Sequence, residues 1–239
     1  MHQLIVIAPV YNEEANLKQF VIDWIDQLRS LSIDFKLKLY DDGSADKSPL
    51  IAAELMKQYA ELELFTKPNS GHGPTIYQAY TDSVTEAEWI FQLDSDHELE
   101  MNTFQLLWIE RLKADILLGE RRQTNQTLFR KILTGISSIA VRLLFGNKIT
   151  DVNVPYRLMR SEKLKTILPL ISKNCFAPNV LISAMAVKHN WVIVIAPVER
   201  TKSASPHLSK FSTKMLLGSI GTFRSLLLLK WKGKQNGSL

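Results

Sequence analysis

The sequence predicts an α/β protein: an open, mostly parallel β-sheet with helices on both faces, followed by a C-terminal amphipathic helical tail. Two observations carry this. Short Val-, Ile- and Leu-rich runs alternate with segments of helical periodicity through about residue 120. Each run also stops on polar, turn-forming residues, and the carboxyl edge of an open parallel sheet is where such folds hold ligands.

Bulk properties bound the problem. With 239 residues, 46% hydrophobic and 22% charged, the chain suits one large globular domain rather than a disordered segment. The single cysteine, Cys175, has no intramolecular partner, which fits a reducing, cytoplasmic setting. The formal charge of +5 is unevenly placed. From Arg200 onward there are eight Lys or Arg and no Asp or Glu, so residues 1–199 carry a net −3. A basic tail interleaved with Leu, Ile and Phe suits an anionic membrane surface or another polyanion; the alternative is a solvated terminal helix. The start of the chain lacks a basic region and a small-residue cleavage site, so no signal peptide is expected. No stretch reaches the roughly 18–20 uninterrupted apolar residues of a spanning helix, and Arg224 interrupts the nearest one, 215–229.

In order, residues 4–8 read as a strand buried on both faces, ending in Pro9-Val10-Tyr11-Asn12-Glu13-Glu14. Leu17, Phe20, Val21, Trp24, Ile25 and Leu28 then recur at helical spacing. A second strand, 35–40, stops at Asp41-Asp42-Gly43-Ser44-Ala45-Asp46, and Ser48-Pro49 starts a helix with proline where its missing N–H costs nothing. A third strand, 62–66, leads into a loop whose Gly71 and Gly73 would let backbone approach a ligand, then a helix through Tyr77 and Tyr80. A fourth, Trp89 to Leu93, delivers Asp94-Ser95-Asp96. Residues 101–112 read as an amphipathic helix and 114–119 as a strand closed by Glu120-Arg121-Arg122. The stripe along 128–145 suits either a core helix or a membrane interface. Residues 151–160 look like a loop entering a short strand, 179–189 a helix, 191–197 a strand, and the tail a helix after a polar loop.

The Asp94-Ser95-Asp96 triplet has the sharpest chemistry. Side chains at i and i+2 of a strand project to one face, and carboxylates are hard ligands suited to Mg²⁺ or Mn²⁺. Alone, such a triplet reads first as a turn using Asp and Ser for local hydrogen bonds. No His/Cys spacing suggests zinc, and Cys175 reads as a small buried hydrophobe rather than a nucleophile.

Taken together, Pro9-Val10-Tyr11-Asn12-Glu13, Asp41-Asp42-Gly43-Ser44 with Asp46, Pro68-Asn69-Ser70-Gly71-His72-Gly73 and Asp94-Ser95-Asp96 resemble family 2 glycosyltransferases of GT-A (Rossmann-like) fold. The branch they resemble contains dolichyl-phosphate mannosyltransferase and bacterial polyprenyl-phosphate glycosyltransferases. Gly119-Glu120-Arg121, the segment Asp151 to Arg160, and Arg200 with Ser209-Lys210-Phe211 extend the likeness over residues 3–212. Departures are Pro155 for a glycine, Glu98 for a glutamine, and a stretched Ser-Lys element. The resemblance implies a catalytic domain at 1–212 and a basic tail at 213–239. It implies a nucleoside-diphosphate sugar donor against Pro9, Tyr11, Glu13, Asp41, Asp42, Gly71, Gly73, Asp94 and Ser95. It implies Mg²⁺ or Mn²⁺ on Asp94, Asp96 and Glu98, with Arg121 supporting the leaving diphosphate. Arg130, Arg157, Arg200 and Lys210 are the expected clamp for an acceptor phosphate, and Asp151 the base if the acceptor is a hydroxyl. The expected reaction is inverting transfer to a polyprenyl phosphate by a peripheral enzyme on the cytoplasmic face of a membrane. Nucleic acid is not an expected partner. The alternatives are transfer to a soluble or glycan hydroxyl, and a catalytically silent nucleotide- or partner-binding module.

Overall fold

The computed structural model describes residues 1–95, 102–121, 139, 141, 143–146, 149, 151–198 and 213–232. Its strands are β1 (His2–Val10), β2 (Phe35–Asp41), β3 (Leu62–Thr66), β4 (Ala87–Gln92), β5 (Ile116–Arg121), β6 (Arg157–Arg160) and β7 (Ile193–Val198). Its helices are α1 (Leu17–Ser30), α2 (Ser48–Met56), α3 (His72–Ser83), α4 (Asn102–Glu110), α5 (Ser161–Ile167), α6 (Pro178–Lys188) and α7 (Thr213–Lys232). The strands form one sheet in the order β3-β2-β1-β4-β6-β5-β7.

β1 is the axis of the first half, pairing in parallel with β2 and with β4. Leu4, Ile5, Val6, Ile7 and Ala8 are all inaccessible to solvent, which is why this strand is an unbroken apolar run rather than an alternating one. α1 buries the six apolar residues its periodicity marks. Among them, the Trp24 ring lies 5.4 Å from that of Phe91, which in turn sits 4.8 Å from Phe104 and 4.8 Å from Tyr156. Aromatic pairs of this kind add about 0.5–1.5 kcal/mol each beyond area burial, and these tie α1, β4, α4 and the entry to β6 together.

β6 is the departure from a parallel sheet. It runs antiparallel to both β4 and β5, with Arg157 opposite Gln92 and opposite Leu118. β4 and β5 therefore run the same way, and the first residue of β6 lies opposite the last residue of β4, while β5 continues beyond Leu118 to Arg121. The edge where β4 ends also collects the carboxyl ends of β1 and β2.

Several boundaries differ from expectation. β5 continues to Arg121, so Glu120 and Arg121 pair with Pro197 and Val198 as strand residues instead of closing the strand. α4 ends at Glu110 and tightens into a 3₁₀ turn over Arg111–Lys113, leaving Leu106, Ile109 and Leu112 exposed. The sequence reading passed over α5 and the 3₁₀ turn Leu168–Leu170 that follows it. Most of the stripe at 128–145 lies outside the described residues.

Candidate active site at the carboxyl edge of the sheet

The loops after β1 and β2 form one laced unit. Asn12 takes a left-handed conformation (φ 55°), which asparagine tolerates. Its N–H donates to Ser44 Oγ at 2.9 Å, and its Oδ1 accepts the Ala45 N–H at 2.8 Å. The N–H of Glu13 donates to Ser48 Oγ at 2.8 Å and that of Glu14 to Asp46 Oδ2 at 3.0 Å. The Glu13 carboxylate is turned toward α1, accepting from Asn16 Nδ2 at 3.2 Å. Tyr11 stands exposed on this unit.

Asp41 and Asp42 were expected side by side against the donor, but both have local work. Asp41 accepts the Ser44 N–H, 3.3 Å from each carboxylate oxygen. Asp42 accepts the N–H groups of Ser70 and Gly71, both at 2.8 Å, and pairs with the Lys67 ammonium, which also donates to Ser70 Oγ at 2.6 Å. Burial pushes the Asp42 carboxyl up, and the bonds from Lys67, Ser70, Thr75 and Gly71 outweigh it, holding the group below the usual carboxylate range. The amides leading into α3 need an acceptor, and a buried carboxylate supplies one. Lys67, which the sequence reading did not single out, is its counter-ion.

The two loop glycines also divide. Gly71 (φ 96°, ψ 160°) adopts backbone that only glycine takes readily, and a Cβ there would meet nothing within 4 Å, so it borders open space. At Gly73 a Cβ would stand 2.2 Å from the carbonyl oxygens of Cys175 and Phe176. Gly73 lets backbone approach backbone, pinning the start of α3 to the segment before α6.

After β4 the triplet splits. Ser95 is buried and donates from Oγ to the Pro9 carbonyl at 2.7 Å, fastening the triplet to β1. Asp94 is half-buried; its Oδ1 is buried with no hydrogen-bond donor among the described residues, and His72 Nε2 lies 3.9 Å away, beyond hydrogen-bonding range. A buried carboxylate oxygen with no donor is costly unless something else satisfies it. Such an oxygen at a ligand-binding edge suits a hard divalent cation, which one or two carboxylates plus phosphate oxygens commonly hold. Asp96, Glu98, Arg130, Arg200 and Lys210 lie outside the described residues, and only the backbone of Arg121 is placed, at the end of β5. Among the described residues no cluster of three or more His, Cys, Asp or Glu could hold a metal.

Arg157 corrects a prediction. It is fully buried and donates to the carbonyls of Val154 (2.8 Å from Nε, 2.7 Å from Nη2), Asn179 (3.1 Å) and Val152 (3.3 Å). A guanidinium spent on main-chain oxygens is not a phosphate fork; it braces the loop carrying Asp151 against α6. Burial lowers its pKa, and the charges of Tyr80, Asp151 and Asp94 oppose that shift. Asp151 itself is half-buried and accepts the Asn153 N–H at 3.2 Å. Beside Arg157 lies a buried network that sequence reasoning missed: Tyr80 OH is 2.8 Å from Asn179 Oδ1, and Asn179 Nδ2 donates to Gln92 Oε1 at 2.9 Å. Gln92, directly after the apolar run Trp89-Ile90-Phe91, was the available signal. Cys175 is buried, with its thiol pushed up to about 11 by burial, which agrees with a packing role.

Comparison with known proteins places this geometry. The chain is 25% identical over 199 residues to a dolichyl-phosphate beta-glucosyltransferase of Trichomonas vaginalis, covering 76% of this chain and 61% of that one. It is 27% identical over 220 residues to an undecaprenyl-phosphate 4-deoxy-4-formamido-L-arabinose transferase of Pseudomonas paraeruginosa, covering 89% and 61%. The chain thus spans about three-fifths of the length of these curated relatives. In fold it is similar to glucosyl-3-phosphoglycerate synthase of Mycobacterium tuberculosis solved with Mn²⁺, UDP and phosphoglyceric acid (TM-score 0.63, 15% identity, 96% and 78% covered), a GT-A structure. Residues 5–168 match the model of the family described as "Glycosyl transferase family 2", and the chain belongs to that family.

Proposed function

We propose that the protein transfers a sugar, with inversion, from a nucleoside-diphosphate sugar to a polyprenyl phosphate at a membrane surface. The observation that carries this reading is the buried Asp94 Oδ1, with no hydrogen-bond donor among the described residues, at the carboxyl edge of a family 2 sheet. The names of the two relatives, acting on dolichyl and undecaprenyl phosphates, support the acceptor class.

In this reading Asp94, Asp96 and Glu98 would hold Mg²⁺ or Mn²⁺, and the cation would supply Lewis-acid stabilisation of the departing diphosphate. The rest is done by the chain. The laced 11–14 and 42–48 loops form a rigid wall for the nucleoside, with exposed Tyr11 as its face. Gly71 leaves open space beside the main chain for the diphosphate. Arg121, at the end of β5 on the same edge, lends charge to the leaving group. A phosphate acceptor brings an oxygen that is already anionic, so the chain must bind it rather than deprotonate it. Arg130, Arg200 and Lys210 take that role, while Arg157 fixes the Asp151 loop from below. If the acceptor is instead a hydroxyl, Asp151 is the base, since its loop enters the sheet at this edge.

The test is transfer from UDP-, GDP- and dTDP-sugars with Mg²⁺ or Mn²⁺ to a polyprenyl phosphate in detergent. Labelled sugar moving into the lipid product supports the proposal. Transfer only to hydroxyl acceptors would move the assignment to Asp151-dependent chemistry, and nucleotide binding without any transfer would overturn the enzymatic reading.

A further inference from the structure

α7 is apolar on two opposite sides. Its inner side is buried through Thr222, Leu226 and Leu229, with Lys188 of α6 donating to the Leu229 carbonyl at 2.5 Å. Gly218 lies so near Phe176 that a Cβ would stand 2.4 Å from its ring. The outer side shows Leu217 (68% exposed), Ile220 (57%), Leu228 (54%) and Trp231 (75%), with Phe223 (46%) at its margin. Arg224 is exposed on that side and Lys230 is half-buried. A surface helix normally turns polar residues outward, so a row of large apolar side chains there marks an interaction face.

We propose that this outer face lies flat on an anionic lipid bilayer and holds the carboxyl edge of the sheet beside it. From Leu217 to Trp231 the face runs about 21 Å, and its apolar side chains would enter the headgroup boundary while Arg224 and Lys230 reach the headgroups. Charge selects this partner. From Arg200 onward the chain has eight Lys or Arg and no Asp or Glu, so a second copy would bring like charge against like, whereas anionic headgroups supply the opposite sign. Trp231 between Lys230 and Lys232 is the pairing that anchors helices at a membrane interface. No described helix is long and apolar enough to cross a membrane.

The face is also wired to the site. Gly218 abuts Phe176, the Phe176 carbonyl abuts Gly73, and the adjacent His72 faces Asp94. A bilayer under α7 is thus two packing contacts from the start of α3. The inference rests on the lipid-phosphate reading above, because such an acceptor presents its phosphate at that surface.

The experiment is co-sedimentation of the full chain with vesicles of phosphatidylcholine alone or mixed with phosphatidylglycerol. Binding to the mixed vesicles should exceed binding to the neutral ones by about tenfold or more, and raised salt should release it. Ile220→Ser with Trp231→Ser should weaken it about tenfold or more, and Arg224→Glu about tenfold. These side chains are exposed, so both variants should melt with the wild type. Absence of binding to anionic vesicles, or equal binding by the variants, would overturn the proposal. So would a dimer in sedimentation velocity that Ile220→Ser abolishes. Transfer to a short, water-soluble polyprenyl phosphate separates the two readings: transfer without vesicle binding sinks this inference alone, and vesicle binding without transfer sinks the enzymatic one.

Discussion

Asp42 and Gly71, 29 residues apart, meet where Asp42 Oδ2 accepts the Gly71 N–H at 2.8 Å, and this bond sets the shape of the loop that opens α3. The same carboxylate takes the Ser70 N–H and the Lys67 ammonium, so one side chain fixes three groups of one loop. Asp42→Ala removes the shared acceptor and should cost about 2–3 kcal/mol. That lowers the melting temperature by about 4–12 °C for a domain of this size, measurable by circular dichroism.

The pH dependence follows from the same bonds. The folded carboxyl of Asp42 is held below its unfolded value. Its stabilisation is therefore complete above the unfolded pKa of about 4 and disappears as pH falls through the lower folded value. Wild type should lose stability more steeply than Asp42→Ala in that acid window, and parallel acid-unfolding curves would contradict the assignment.

Gly71 and Gly73 should respond differently to alanine. Gly73→Ala forces a Cβ into the Cys175 and Phe176 carbonyls and should destabilise by about 2–3 kcal/mol, with hydrogen exchange rising in both α3 and residues 175–179. Gly71→Ala meets open space, and its cost is conformational, about 1–3 kcal/mol from φ 96°. In that variant exchange should rise only around the loop.

Arg157→Lys should fail to restore what Arg157→Ala loses. One ammonium cannot reach the three carbonyl partners that the planar guanidinium spans, so both variants should lose about 2–4 kcal/mol in urea unfolding. A Lys variant as stable as wild type would return Arg157 to a solvent-facing role.

These residues show how far the sequence could be read. Strand and helix identity was legible because β1 is buried on both faces and α1 has a sharp apolar stripe, and both leave periodic signatures. The direction of β6 was not, because a four-residue strand carries no mark of direction; that is set by the end of the sheet at which the 151–156 loop arrives. The motifs converge on one edge of the sheet, where Pro9, Asp41, Asp42, Gly71 and Asp94 all sit. Their individual work was hidden. A carboxylate reads the same in sequence whether it faces a ligand or, like Asp42, satisfies the amides of a neighbouring loop. Arg157 looked like an anion fork for the same reason, and only its burial shows that carbonyl oxygens claim it.

The proposed cation site at Asp94 is the central claim, and titration calorimetry of UDP-, GDP- and dTDP-sugars with Mn²⁺ into wild type and Asp94→Asn tests it most directly. Asp94 Oδ1 has no hydrogen-bond donor to lose among the described residues, so the variant should melt within about 2 °C of wild type, yet bind the preferred donor at least about tenfold more weakly. A chelator should have the same effect on wild type. Equal donor affinity in both proteins, with or without Mn²⁺, would contradict the account.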